Sequence, residues 1–412
     1  MEGLHERELR VLRGPRFAWW CLQGRQDRQG HAVRDLPAAA RGRALNVRSS
    51  ALPDFPWDLL EPAKAIAAAH SGGIVDLSVG TPVDSVPPAV RQALADSSDA
   101  PGYPLTAGSP ALRAAITGWI SRECHASGEF GVLPTIGSKE LVAWLPTLLG
   151  VGPGDVVVIP AVCYPTYEVG AKLAGAEVVR SDSLTAVGPD PRVKLIWINS
   201  PSNPTGRVLP VEHLRKVVAW GRERGVIVVS DECYVSLGWE SEPVSVLSDE
   251  VTGGDYSGVL AVHSLSKRSN LAGYRAGFVG GDPALVGELL AVRKHAGMIV
   301  PAPVQAAMVA ALNDEAHVAE QRVRYAARRD MLRTALVKSG FEISHSEAGL
   351  YLWATRDEDC WATVDRLARR GILAAPGAFY GPSAAKHVRI ALTATDERVA
   401  TAADRLAEPF TD

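Results

Sequence analysis

The feature that most constrains the fold is a series of short, unbroken Val/Ile-rich segments. They fall at residues 156–159, 178–179, 193–198, 226–229 and 259–262. A strand with one wet face alternates apolar and polar residues. These segments do not alternate, so both of their faces must be covered. Helical stretches separate several of them, as at 210–224, which ends at Gly225. That rhythm predicts an α/β fold with a mostly parallel central sheet flanked by helices. In such sheets ligands bind outside the carboxyl ends of the strands, so the residues just after each apolar run carry the functional information.

The flanking chain completes the expected architecture. Residues 52–70 read as a short helix, 74–79 as a strand ending in the Gly80-Thr81-Pro82 turn, and 88–95 as a helix. Ser109-Pro110 is a helix N-cap followed by proline at the first position. Residues 130–150 read strand, Gly137-Ser138 turn, helix. Helices are expected at 283–295, 301–312 and 315–339, the last bridging to a smaller α+β unit. That unit should hold strands at 341–344, 350–354, 372–374 and 388–392, with helices at 360–370 and 397–406. The expected division is an N-terminal extension (1–50), an arm packing with the small domain (51–90), a large domain (91–310) and a small domain (311–412).

Composition narrows the function classes. A chain of 412 residues with 47% hydrophobic and 22% charged residues can build a large core. A net charge of −3 argues against a bulk nucleic-acid or membrane binder. Cys21, Cys124, Cys163, Cys233 and Cys360 are scattered and form no C-x-x-C, which predicts reduced thiols in a cytoplasmic protein, with no zinc site and no disulfide frame. No apolar stretch is long enough to span a bilayer. Residues 1–50 stand apart, with ten arginines, no lysine and no sustained period. They are expected to be a disordered extension or the product of a misplaced start, with Val47 as an alternative start residue.

The chemistry centres on residues 264–275. An apolar run ends in Ser264-Leu265-Ser266-Lys267, and Arg275 follows within Gly273-Tyr-Arg-Ala-Gly277. Desolvation lowers a lysine's pKa toward that of a free amine nucleophile. A lysine just past a buried strand is therefore a candidate Schiff-base former on pyridoxal phosphate (PLP). Ser264, Ser266 and Arg275 offer two hydroxyls and a guanidinium fork for a phosphate. Gly137, Ser138 and Lys139, at a helix N-terminus, offer a second anion-binding turn. Two plainer readings compete: a solvated loop lysine, and the Ser-x-x-Lys nucleophile motif of β-lactamases, whose Ser-Asp-Asn partner is missing.

What favours the cofactor reading is the company upstream. Asn203, Asp231 and Lys267 each follow a different strand. Asp231 can pair with the pyridine nitrogen, Asn203 and Tyr234 can hydrogen-bond the phenolate oxygen, and Tyr164 can stack on the ring. Each residue alone has a structural explanation: a turn, a loop cap, a core aromatic. Together, each beyond a strand, they point to one site.

The motifs Ser200-Pro-Ser-Asn-Pro-Thr-Gly206, Ser230-Asp-Glu-Cys-Tyr234, Ser264-Leu-Ser-Lys267 and Gly273-Tyr-Arg-Ala-Gly277 resemble those of class I PLP-dependent aminotransferases of fold type I. The resemblance runs from Leu52 to the C-terminus. It implies a homodimer with shared sites, in which Tyr103 reaches the phosphate in the neighbouring subunit. It also implies that Arg389, in His387-Val-Arg-Ile-Ala391, grips the substrate α-carboxylate, and that Gly80 contacts the same group through its backbone. Within the class the chain is most similar to succinyldiaminopimelate aminotransferases of actinobacteria, which implies a role in lysine and diaminopimelate synthesis. An aspartate or aromatic aminotransferase and a C–S β-lyase are the nearest alternatives. A transcription regulator is the alternative from another class, disfavoured because residues 1–50 are too short and aperiodic for a DNA-binding domain.

Overall fold

A computed structural model describes residues 52–408. The expectations for residues 1–50, Val47 and Cys21 lie outside that range. Thirteen strands follow in chain order: β1 Val75–Asp76, β2 Gly131–Ile136, β3 Val156–Ile159, β4 Glu177–Arg180, β5 Val193–Asn199, β6 Ile227–Asp231, β7 Val259–Ser264, β8 Ala276–Gly281, β9 Glu342–Ser344, β10 Tyr351–Thr355, β11 Ile372–Leu373, β12 Ala375–Pro376 and β13 His387–Ala391. The main sheet has the order β2-β8-β7-β6-β5-β3-β4. Strands β3 to β7 pair in parallel, and β8 alone runs against its neighbours β2 and β7.

The unbroken apolar runs have the predicted cause. Successive residues of one strand enter opposite hydrophobic clusters. Ile196 and Ile198 of β5, Val228 of β6 and Ala261 of β7 pack on one side with Trp119, Leu214 and Met308. Leu195, Trp197, Val229, Leu260 and Val262 pack on the other with Leu141, Leu145 and Tyr167. Each fully buried aliphatic side chain contributes about 1.5–3 kcal/mol, and two covered faces double the yield per strand. Helix ends follow the local chemistry. Ser109 Oγ accepts from Leu112 N at the start of Pro110–Glu123. Gly225, in the left-handed region at φ 64°, closes Val211–Arg224.

Toward the C-terminus, β12-β13-β10-β9 form an antiparallel sheet. Its core includes Tyr325, Leu332, Leu350, Leu352, Val388 and Ile390, joined by Leu60, Ala67, Val75 and Leu77 from the start of the described chain. The 23-residue helix Ala316–Lys338 packs against it through Tyr325 and Leu332.

Two expected strands are shorter than read. The strand expected at 74–79 is cut to β1 because Asp76 Oδ1 accepts from Ser78 N at 2.9 Å and from Ser78 Oγ at 2.6 Å, an Asx turn that bends the chain. The strand expected at 372–374 is cut to β11, paired with β1, and a separate short strand, β12, follows it and pairs with β13. Among the described residues no helix is long and apolar enough to cross a membrane.

Candidate active site

Beyond the carboxyl ends of β5, β6 and β7 lies a cavity of about 760 Å³. Its lining includes Gly80, Ser138, Lys139, Tyr164, Asn203, Asp231, Tyr234, Ser264, Ser266, Lys267, Arg275 and Arg389. Twelve of the fourteen residues singled out from sequence therefore meet in one space, although they span more than 300 positions. Gly137 borders it through Arg275: at φ 75° it has no room for a side chain, because a Cβ would run into the Arg275 guanidinium. Tyr103 is not brought in. It is fully exposed, on a Gly/Pro-rich loop, and does not line this cavity.

Lys267 lies in the short helix Leu265–Arg268 that begins where β7 ends. Ser264 Oγ accepts from Ser266 N at 3.1 Å, which starts that turn. Lys267 Nζ donates to Gly80 O. Burial, reinforced by the Arg389 and Arg275 guanidiniums and opposed by Tyr351 and Cys233, holds the amine below the usual lysine range. That favours the neutral nucleophile.

Asp231 is the last residue of β6, and its carboxylate is buried. Oδ2 accepts from Tyr167 Oη at 2.8 Å and Oδ1 from Cys233 N at 3.2 Å. Burial raises its pKa despite these donors. It has no ion-pair partner among the described residues. A buried carboxylate held between two neutral donors is an acceptor suited to a protonated ring nitrogen.

Asn203 lies, as expected, in the turn after β5, which stops at Asn199, four residues earlier. Asn199 shapes that turn. Its Nδ2 donates to Pro201 O and Asp231 O, and its Oδ1 accepts from Asn203 N at 2.7 Å, so one amide shapes the whole turn. Asn203 Oδ1 then accepts from Arg389 Nη1 at 2.9 Å, which leaves Nδ2 as the donor.

Arg389, on β13, is 2% exposed. Its Nη2 donates to Ser78 O at 2.6 Å, and Nε has no protein partner. No acidic side chain pairs with it among the described residues. A guanidinium this deeply buried needs an anion, and its fork matches a carboxylate.

Several contributors carried no sequence signal. Tyr167 holds Asp231 and stacks on Trp197 at 4.8 Å between ring centroids. Tyr351 lines the cavity between Tyr234 and Arg389. Glu232, next to Asp231, turns toward Trp119 and Phe278. Its Oε2 is 3.7 Å from His263 Nε2, which is 3.9 Å from Cys124 Sγ. Burial lifts Glu232 to about 7 and pushes His263 down to about 3.

A lysine amine, an unpaired buried carboxylate, an unpaired buried guanidinium and a helix N-terminus around one cavity suit a PLP ring, its phosphate and an amino-acid substrate. Comparison with known proteins gives the same answer. The family described as "Aminotransferase class I and II" matches residues 73–406. The chain belongs to this family. A probable aminotransferase of Mycobacterium tuberculosis is 59% identical over 98% of this chain and 100% of its own length. The 4-dedimethylamino-4-oxo-anhydrotetracycline transaminase OxyQ of Streptomyces rimosus is 60% identical over 86% of this chain and 99% of its own. Among solved structures, a probable N-succinyldiaminopimelate aminotransferase from Thermus thermophilus superposes with a TM-score of 0.78 at 29% identity, covering 86% of this chain and 99% of that one. This aminotransferase has the PLP-dependent fold, and PLP is its cofactor.

Proposed function

We propose that this aminotransferase moves the amino group of glutamate to N-succinyl-2-amino-6-ketopimelate, releasing 2-oxoglutarate, and that it works as a homodimer. The observation that carries the amino-acid site is Arg389, buried without an acidic partner in the same cavity as Lys267. The choice of acceptor rests on the sequence motifs and on the name of the Thermus relative.

When bound, PLP supplies a reactive aldehyde carbon and an electron-withdrawing ring. The chain supplies the rest. Arg389 binds the α-carboxylate through its fork, with the Gly80 backbone beside it. Lys267 Nζ would take the proton from the α-carbon of the amino donor and, in the second half of the exchange, give one to the carbon that becomes the α-carbon of the amino product. Asp231 keeps the ring nitrogen protonated. Asn203 Nδ2 and Tyr234 Oη donate to the phenolate oxygen, and Tyr164 covers one ring face. Ser264, Ser266, Arg275 and the Gly137-Ser138-Lys139 turn hold the phosphate. Tyr103, fully exposed on its loop and outside this cavity, would serve the partner subunit's phosphate.

A second reading has its own support. The 60% identity to a transaminase named for a tetracyclic ketone favours a bulkier acceptor. The aromatic pair Phe55 and Trp57, 5.7 Å apart at the cavity wall, suits such a surface. A panel of acceptors against the glutamate-loaded enzyme separates the two. Transfer to the succinylated ketone at a rate well above that to a polycyclic ketone supports the first, and the reverse order overturns it. Lys267→Ala tests the shared chemistry: it should abolish turnover while the fold, read by circular dichroism, is kept. Wild-type turnover in that variant would refute the assignment.

A further inference from the structure

The cavity contains one aromatic hydroxyl to which the reaction as described gives no task. Tyr351, on β10, is 4% exposed and lines the cavity with Tyr234, Lys267 and Arg389. Its ring lies 3.9 Å, centroid to Cζ, from the Arg389 guanidinium. Tyr380 stands on the same guanidinium at 5.1 Å. The Tyr351 hydroxyl is 3.1 Å from Tyr234 Oη, with the two rings edge to face at 5.7 Å.

The strand register brings this about. In the β10–β13 ladder Tyr351 pairs with Ala391 and Trp353 with Arg389, so Tyr351 and Arg389 are diagonal neighbours on one face. Diagonal pairs are within reach for long side chains. Gly80 supplies the space. A Cβ there would overlap the Tyr351 hydroxyl and its ring carbons, while the Gly80 carbonyl accepts from Lys267. Glycine at position 80 is therefore required by the close approach of a phenol, and its carbonyl ties that phenol's surroundings to the catalytic amine.

We propose that Tyr351 is a positioning residue for both halves of the site: its ring seats the Arg389 guanidinium for the substrate carboxylate, and its hydroxyl orients that of Tyr234. This rests on the roles given above to Arg389 and Tyr234. The argument for the hydroxyl is one of proton count. A tyrosine hydroxyl has one proton. If Tyr234 is to donate to the cofactor's phenolate oxygen, it cannot also donate to Tyr351, so the Tyr351 hydroxyl must donate to Tyr234 Oη. That bond fixes the rotor and aims the remaining proton. Burial first, then the neighbouring Tyr351, push the Tyr234 hydroxyl well up and keep its proton on. A tyrosine placed only to fill the core would need no such partner, and phenylalanine would serve.

The test uses the PLP-loaded enzyme and two variants. The first readout is the dissociation constant of 2-hydroxyglutarate, which has the α-carboxylate and no amine to react. The second is the pH midpoint of the bound cofactor's absorbance. Tyr351→Phe keeps the ring, so 2-hydroxyglutarate should bind within about twofold of wild type, the ring contact being intact. The midpoint should rise by about 0.5 to 1 pH unit, because a less well aimed Tyr234 stabilises the phenolate less. Tyr351→Leu removes the ring, and binding should weaken about tenfold. An unchanged midpoint in the Phe variant, or unweakened binding in the Leu variant, overturns the proposal. If the Leu variant does not fold, Tyr351→Met, whose unbranched side chain fills irregular gaps, is read in the same way. Arg389→Lys is the control: if it too leaves 2-hydroxyglutarate binding unchanged, the carboxylate site itself is wrongly assigned, a failure distinct from that of Tyr351.

Discussion

Replacing Arg389 with lysine is the most informative single change, because the structure sets its size. Arg389 is buried, with Nη1 committed to Asn203 Oδ1 and Nη2 to Ser78 O, and its guanidinium lies 3.9 Å from the ring centroid of Tyr351 and 5.1 Å from that of Tyr380. Arginine can give a carboxylate two parallel charge-assisted bonds, whereas lysine presents a point charge and one well-placed bond. A hydrogen bond to a charged group contributes about 1.5–3 kcal/mol. Losing one of the two, with the stacking geometry, should cost about 2.7 kcal/mol, or about 100-fold. The assay is steady-state kinetics with the amino donor and, separately, with the keto acceptor. Both kcat/KM values should fall about 100-fold, because in the proposed reaction donor and acceptor each carry an α-carboxylate. The cofactor should stay bound, read from its absorbance, since Arg389 is not one of the groups that hold it. A loss confined to one substrate, or below about threefold for both, would refute the reasoning.

Other consequences follow from neighbouring contacts. Tyr167→Phe removes the hydroxyl donor to Asp231 and should lower kcat/KM about tenfold, the worth of one bond to a charged group, with the fold retained by near-ultraviolet circular dichroism. Gly80→Ala should displace the Tyr351 phenol and destabilise the protein by about 1–3 kcal/mol, read from the denaturation midpoint. Glu232 supplies a pH prediction. Its folded pKa, about 7, lies above the unfolded value, so its contribution is fully present below about 4.5 and is lost as pH rises through 7. Glu232→Gln imitates the protonated form while still accepting from Val246 N. At about pH 8 it should be more stable than wild type by up to about 3 kcal/mol, and the advantage should vanish near about pH 4.5; a pH-independent difference would contradict this.

The architecture was legible because both-face burial leaves a mark that one sequence can show. The runs at 193–198 and 226–229 are unbroken because neighbouring residues enter opposite clusters, as Ile196 and Trp197 do. Lys267 and Asp231 were legible for the related reason that a charged residue directly after such a run is conspicuous. Tyr167 and Tyr351 were not. They sit 64 and 117 positions from the residues they hold, Asp231 and Tyr234, and a tyrosine near an apolar segment looks like core from the sequence alone. The part of Asn199 was not legible: its side chain shapes the turn that carries Asn203, and local propensity does not show what an amide will hold. Strand β1 was overextended for a similar reason, the Asp76 turn onto Ser78.

The central claim is that the Lys267 amine is the group that carries the cofactor. The direct measurement is borohydride reduction of the loaded enzyme, which fixes the cofactor to its lysine, followed by proteolysis and mass spectrometry. The added mass is expected on the peptide containing Lys267. Its appearance on Lys139, the lysine across the same cavity, or on any other residue would contradict it.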